Sequence, residues 1–215
     1  MLCVDMSLSP TSHNCVTVLK SCAKLQNLLR CISIHSDIVK LGFLENDPFV
    51  ASSLVDTYAK CGSIEVASEV FDKLQSRDTG SWNALISGFN QLGDFHNVLQ
   101  IFDKMVSENF KPDQVTFLIV LNTCNQHSLY MRGEKYFDMM KEEYGIVPTL
   151  LHHTAIIDLL GGSGQLIEMT QTVKNIPFCP DLVIWHAVLS ACRKWGNVEL
   201  ARKAFEHSLQ PRCQD

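Results

Sequence analysis

The sequence predicts an all-α fold, an α-solenoid of stacked helical hairpins. Three observations carry that expectation. The first is repetition: cut at 12–47, 48–78, 79–113, 114–149, 150–181 and 182–215, the 215-residue chain shows the same landmarks in the same order. The second is periodicity, since apolar residues within a unit recur at helical spacing and no strand-like alternation persists over comparable length. The third is punctuation: Gly62, Gly93, Gly164 and Gly196 stand at the fifteenth place of four units, where a helix must end and the chain reverse.

The first unit has Cys22 at its eleventh place and His35 at its twenty-fourth. In the second, FVASSLVDTYAKC puts Val50, Leu54, Val55 and Tyr58 on one helical face. Gly62 turns the chain, and IEVASEVFDKL gives a second stripe of Val66, Val70, Phe71 and Leu74. The third unit repeats the plan with WNALISGF, Gly93 and FHNVLQIFDKM. The remaining units carry Cys124, Leu160 and Cys192 at the eleventh place, and Phe137, Val173 and Phe205 at the twenty-fourth. Ala51, Ala67 and Ala84 are small enough to let paired helices approach closely. Asp47, Asp113 and Asp181 precede expected helices, where a carboxylate caps free N–H groups. One hairpin cannot bury both faces, so about three stacked units are the minimum for a continuous core, and stacking makes a concave groove.

Composition excludes several classes. Hydrophobic residues make up 46% and charged residues 19% of the chain, which suits a packed core rather than disorder. No run of about 18 apolar residues suggests a membrane span. A net charge of −5 gives no support for non-specific binding to DNA or RNA. The nine cysteines include no C-x-x-C pair, so a disulfide framework is not expected and a reducing compartment fits better. The opening MLCVDMSLSPT reads as neither a signal peptide nor a transit peptide. No nucleophile elbow, Walker loop or dinucleotide fingerprint occurs, and GGSGQ at 161–165 lies at a hairpin turn without a preceding strand. His152 and His153 are adjacent, so they share no helical face and read as a helix start rather than as metal ligands. No cofactor, metal or enzymatic activity is expected.

Unit lengths of 36, 31, 35, 36, 32 and 34 residues alternate, whereas uniform 34-residue units would point to tetratricopeptide repeats. The alternation comes with VLKSCAKL, LVDTYAKCGSIEVASEVFDKL, SWNALISGFNQLGDFHNVLQIFDKM followed by FKPD, VTFLIVLNTC, MMKEEYGIVPT, IIDLLGGSGQL and NIPFCPD. In these features the chain resembles the plant pentatricopeptide repeat family, in its long-short subclass. The last unit, VIWHAVLSACRKWGNVELARKAFEHSL, resembles the extension motif of that family's RNA-editing factors. The resemblance covers residues 12–208.

The resemblance implies a tetratricopeptide-like right-handed superhelix that reads single-stranded organellar RNA, one base per repeat. The fifth and last residues of a repeat would reach the base edge, and the second would pack on base faces. Ser52 with Asp78 resembles a guanine reader, Asn83 with Asp113 a uracil reader, and Thr154 with Asp181 again a guanine reader. Val16 and Leu118 cannot hydrogen-bond, so the long units should read nothing. The implied target is 5′-G-U-N-G. Phe49 and Val115 would stack on bases, whereas Gly80 departs from that pattern. Lys60 and Arg77 are candidate phosphate contacts. The H-x-E and C-x-x-C set of a zinc deaminase is absent. The resemblance therefore implies an adaptor for C-to-U editing that recruits a deaminase-domain protein or editing cofactor through 182–215. Its expected address is the mitochondrion, alternatively the chloroplast. The alternatives are a tetratricopeptide-like protein scaffold, or a truncated, non-functional member. The opening VDMSLSPT resembles the tail of a preceding repeat, and HSLQPRCQD stops where an extension normally continues.

Overall fold

The computed structural model describes residues 11–208, so Cys3, Cys213 and most of both terminal stretches just named lie outside it. Thirteen helices and no strand occur among the described residues. In order they are α1 (Ser12–Leu25), α2 (Leu28–Lys40), α3 (Phe43–Asn46), α4 (Pro48–Lys60), α5 (Ile64–Lys73), α6 (Thr79–Gln91) and α7 (Phe95–Ser107). Then follow α8 (Gln114–Gln126), α9 (Tyr130–Glu142), α10 (Leu150–Gly162), α11 (Leu166–Lys174), α12 (Leu182–Trp195) and α13 (Val198–Ser208). They form two compact modules divided between Lys111 and Pro112. The fold class is all-α, of the solenoid type.

Carboxylates start four of the first helices. Asp47 Oδ1 accepts the N–H groups of Phe49 and Val50, and Asp181 Oδ1 those of Val183 and Ile184. Asp78 and Asp113 form reciprocal boxes, in which the hydroxyls of Ser81 and Thr116 return to the cap's own N–H. Each cap is worth about 1 kcal/mol. Before α10 the partnership is different. His152 Nδ1 accepts the Thr149 N–H at 3.2 Å and its hydroxyl at 2.7 Å, so Nε2 carries the hydrogen donated to the Gln114 carbonyl at 2.8 Å. Burial holds this imidazole below its ordinary pKa, with the Gln114 bond opposing.

The turn after each first helix uses a left-handed residue. Gly62, Gly93, Gly164 and Gly196 adopt it as expected. Gln26 and Ser128 adopt it too, at φ 49° and 54°, in the two units that lack the glycine. The first helices are uniform, at 13 or 14 residues. The second helices are not: α5 and α11 have 10 and 9 residues, against 13 for α2, α7 and α9. The alternating unit length therefore resides in the second helix and the link that follows it. The first unit also contains α3, a single turn that the periodicity does not announce.

In the first module α4 packs between α1 and α6. Leu19, Leu54, Val55, Trp82 and Ile86 are fully buried there, and the Thr57 hydroxyl reaches the Leu19 carbonyl at 3.3 Å. In the second module α10 packs between α8 and α12 around Phe117, Leu121, Ile157 and Ile184. Phe71, Phe102, Phe137 and Val173 are buried as their shared place predicts. Phe205 is 54% exposed and Val66 36%, which corrects the expectation for both. A stripe is buried only where another helix covers it. Where His35 replaces the phenylalanine, its Nδ1 meets the Tyr58 hydroxyl at 2.9 Å.

Six described cysteines are free thiols. No described helix is long and apolar enough to cross a membrane. Among the described residues no three His, Cys, Asp or Glu side chains gather as a metal site.

Candidate nucleic-acid interface

Residues four apart share a helix face, so the fifth, ninth and thirteenth places of a first helix form one stripe. On α4 that stripe is Ser52, Asp56 and Lys60; on α10 it is Thr154, Asp158 and Gly162. The second place stands beside it. Phe49 and Val115 are 62% and 53% exposed there. Leu151 and Val183 occupy the same place and are equally open, which the motif reading passed over. Their signal was the register alone: an apolar residue two places into a first helix.

The candidate readers are half-buried or exposed, and most are already partly engaged. The Ser52 hydroxyl donates to the Phe49 carbonyl at 3.2 Å, and the Thr154 hydroxyl to the Leu150 carbonyl at 2.9 Å. Each spends its hydrogen inside its own helix and keeps lone pairs for an outside donor. Asp78 begins α6, which packs against the α4 that carries Ser52. Asp181 begins α12, which packs against the α10 that carries Thr154. In both aspartates Oδ1 serves the cap, while no described donor is recorded at Oδ2. Each pair thus offers acceptors only, the complement of an edge rich in N–H groups. Asn83 lies half-buried on α6, and its amide can both donate and accept. Asp113 lies in the other module, where Oδ1 takes the N–H and the hydroxyl of Thr116. Val16 is buried.

The two cations picked from the sequence are compensated. Lys60 pairs with Asp56 at 2.7 Å on its own helix. The Arg77 guanidinium pairs with Glu108 at 3.1 Å and Asp72 at 3.6 Å, and lies 4.7 Å above the Phe71 ring. It clasps the core and is not a free phosphate ligand.

Comparison with known proteins identifies the repeat. Residues 49–79 and 183–209 match the PPR repeat, and residues 77–126 match the PPR repeat family. The second of these segments lies in the unit that resembles an extension motif. The chain is 37% identical over 209 residues to pentatricopeptide repeat-containing protein At2g13600 of Arabidopsis thaliana, covering 95% of this chain and 30% of that protein. It is 36% identical over 213 residues to At3g02330, mitochondrial, of the same plant, covering 99% and 24%. The chain therefore spans under a third of the length of these relatives. Among solved structures, maize PPR10 superposes with a TM-score of 0.79 at 16% identity, covering 98% of this chain and 31% of that one. PPR10 in complex with an 18-nt psaJ RNA element gives 0.70 at 17% identity, covering 95% and 31%.

Proposed function

We propose that this chain, which belongs to the pentatricopeptide repeat family, binds single-stranded RNA along the stripes of its first helices. One observation carries the reading. In two separate modules a hydroxyl at the fifth place and a capping carboxylate on the adjacent first helix repeat, beside an exposed apolar residue at the second place. Ser52 with Asp78, and Thr154 with Asp181, are acceptor sets that suit the N–H edge of guanine. The Asn83 amide suits the mixed edge of uracil. Phe49, Val115, Leu151 and Val183 supply surfaces for base faces, worth about 1–3 kcal/mol per base where the surface is aromatic. The preferred pattern is 5′-G-U-N-G.

The editing role extends this reading. The chain would deliver a deaminase-domain protein or editing cofactor, bound through 182–215, to an organellar transcript. The mitochondrial name of one relative favours that compartment over the chloroplast. The test is selection of the purified chain against a randomised single-stranded RNA pool. Enrichment of G-U-N-G is expected, and Asn83→Ala should relax the second position alone. A helical chain that enriches nothing, yet captures the same proteins after RNase treatment, would replace this reading with a protein scaffold.

A further inference from the structure

We propose that Lys20 and Phe49 form a sequence-independent nucleotide clamp, which anchors RNA on a unit that reads no base. The inference rests on the RNA-binding reading above. The first unit is silent by chemistry, because its fifth-place residue, Val16, is apolar and buried. Its stripe nevertheless carries charge. Val16, Lys20 and Lys24 follow one another at four-residue spacing along α1. At the ninth place, where α1 has Lys20, α4 has Asp56 and α10 has Asp158. Charge at that place is therefore reversed in the first unit only among these three helices.

The surroundings of Lys20 define what it can hold. Its Nζ lies 5.5 Å from the centroid of the Phe49 ring on the adjacent α4. That ring is 62% exposed, and Lys20 and Lys24 are both exposed. Neither lysine meets a carboxylate among the described residues, whereas Lys60 on α4 is neutralised by Asp56. An exposed aromatic ring with an uncompensated ammonium over one face matches one nucleotide: the base stacks on the ring's remaining exposed surface and the phosphate meets the ammonium. No base edge is read, so every base should fit. In a chain of net charge −5, such local charge is where the phosphate attraction must come from.

The test is titration of the full chain with labelled oligouridine between about 50 and 200 mM salt. Lys20→Gln should weaken binding about threefold at the low-salt end and reduce the salt slope by about 0.7, the signature of one lost phosphate contact. Lys20→Arg should preserve both. Phe49→Ala should weaken binding about fivefold or more for every homopolymer. Both side chains are exposed, so circular dichroism and melting should stay unchanged. Wild-type binding that Lys20→Gln leaves intact overturns the clamp, as does an equal loss on Lys135→Gln, an exposed lysine of the second helix α9. A wild-type chain that binds no RNA overturns the underlying reading instead.

Discussion

Trp82 in the first module and His153 in the second fill the same place, the fourth residue of a first helix, with matching neighbours. Trp82 lies edge-on to Phe71 at 4.7 Å and tilted against Phe110 at 5.5 Å. His153 lies edge-on to Phe137 and to Phe178, each at 5.5 Å. A cation covers the outer ring in both, Arg77 over Phe71 and Lys141 over Phe137, each at 4.7 Å. Both rings are buried, and neither Trp82 Nε1 nor either His153 nitrogen has a described partner. The slot selects a flat ring. Tryptophan offsets one orphan N–H with a large apolar area, whereas histidine brings two polar nitrogens, less area and a titratable group. Burial holds the His153 imidazole below its ordinary pKa of 6.5, with His152 and Lys141 adding repulsion.

The comparison yields predictions of decreasing size. Trp82→Ala should cost about 3–5 kcal/mol in urea denaturation, because a fully buried ring leaves a cavity. A loss below about 1 kcal/mol would show that the first-module slot collapses freely. His153→Phe should stabilise the chain by about 1–3 kcal/mol, since it removes two unsatisfied nitrogens while keeping the ring. Destabilisation would mean that the imidazole has a partner after all.

Of these two residues only His153 makes stability depend on pH. A folded-state pKa below the unfolded value means that the unfolded chain takes up protons first. No titration penalty exists well above 6.5, and stability falls as pH drops through 6.5 toward the lower folded value. Acidification should therefore lower the melting temperature of the wild type, and His153→Phe should flatten part of that fall. His152 and His35, also held below their ordinary values chiefly by burial, add to the fall in the same direction. An unchanged slope in His153→Phe would assign the whole effect elsewhere.

The smallest effect concerns the turns, one in each module. Gln26 and Ser128 hold the left-handed conformation at a cost of about 1–2 kcal/mol for a side-chain-bearing residue. Gln26→Gly and Ser128→Gly remove that cost but loosen the unfolded chain by about 0.4–1 kcal/mol. Each should gain about 0.5 kcal/mol net, read as a small rise in the denaturation midpoint.

Much of the fold was legible because its signals are local. Asp47, Asp113 and Asp181 announced helix starts, and four glycines announced turns, through groups within three or four residues. The buried stripe of α4 was legible from spacing alone, since its residues face neighbours on either side. Val66 and Phe205 were misread because spacing gives a face but not what covers it. The candidate readers were legible as a register, from Ser52 and Asp78 to Thr154 and Asp181. Leu151 and Val183 were legible in the same register and were passed over.

By itself the sequence determined the all-helical class, the hairpin turns and the caps at Asp47, Asp113 and Asp181. These follow from backbone geometry within one helical turn, which residue order sets directly. Only the tertiary structure decided which cations are spent and which are open. Arg77 is bound to Glu108, 31 residues away, and Lys20 stands over Phe49, 29 residues away. It also decided that Gln26 and Ser128 must take a glycine's conformation, and that His153 occupies a slot shaped like that of Trp82. Such pairings depend on how closely two helices pack and at what rotation, distances that no local run of residues encodes.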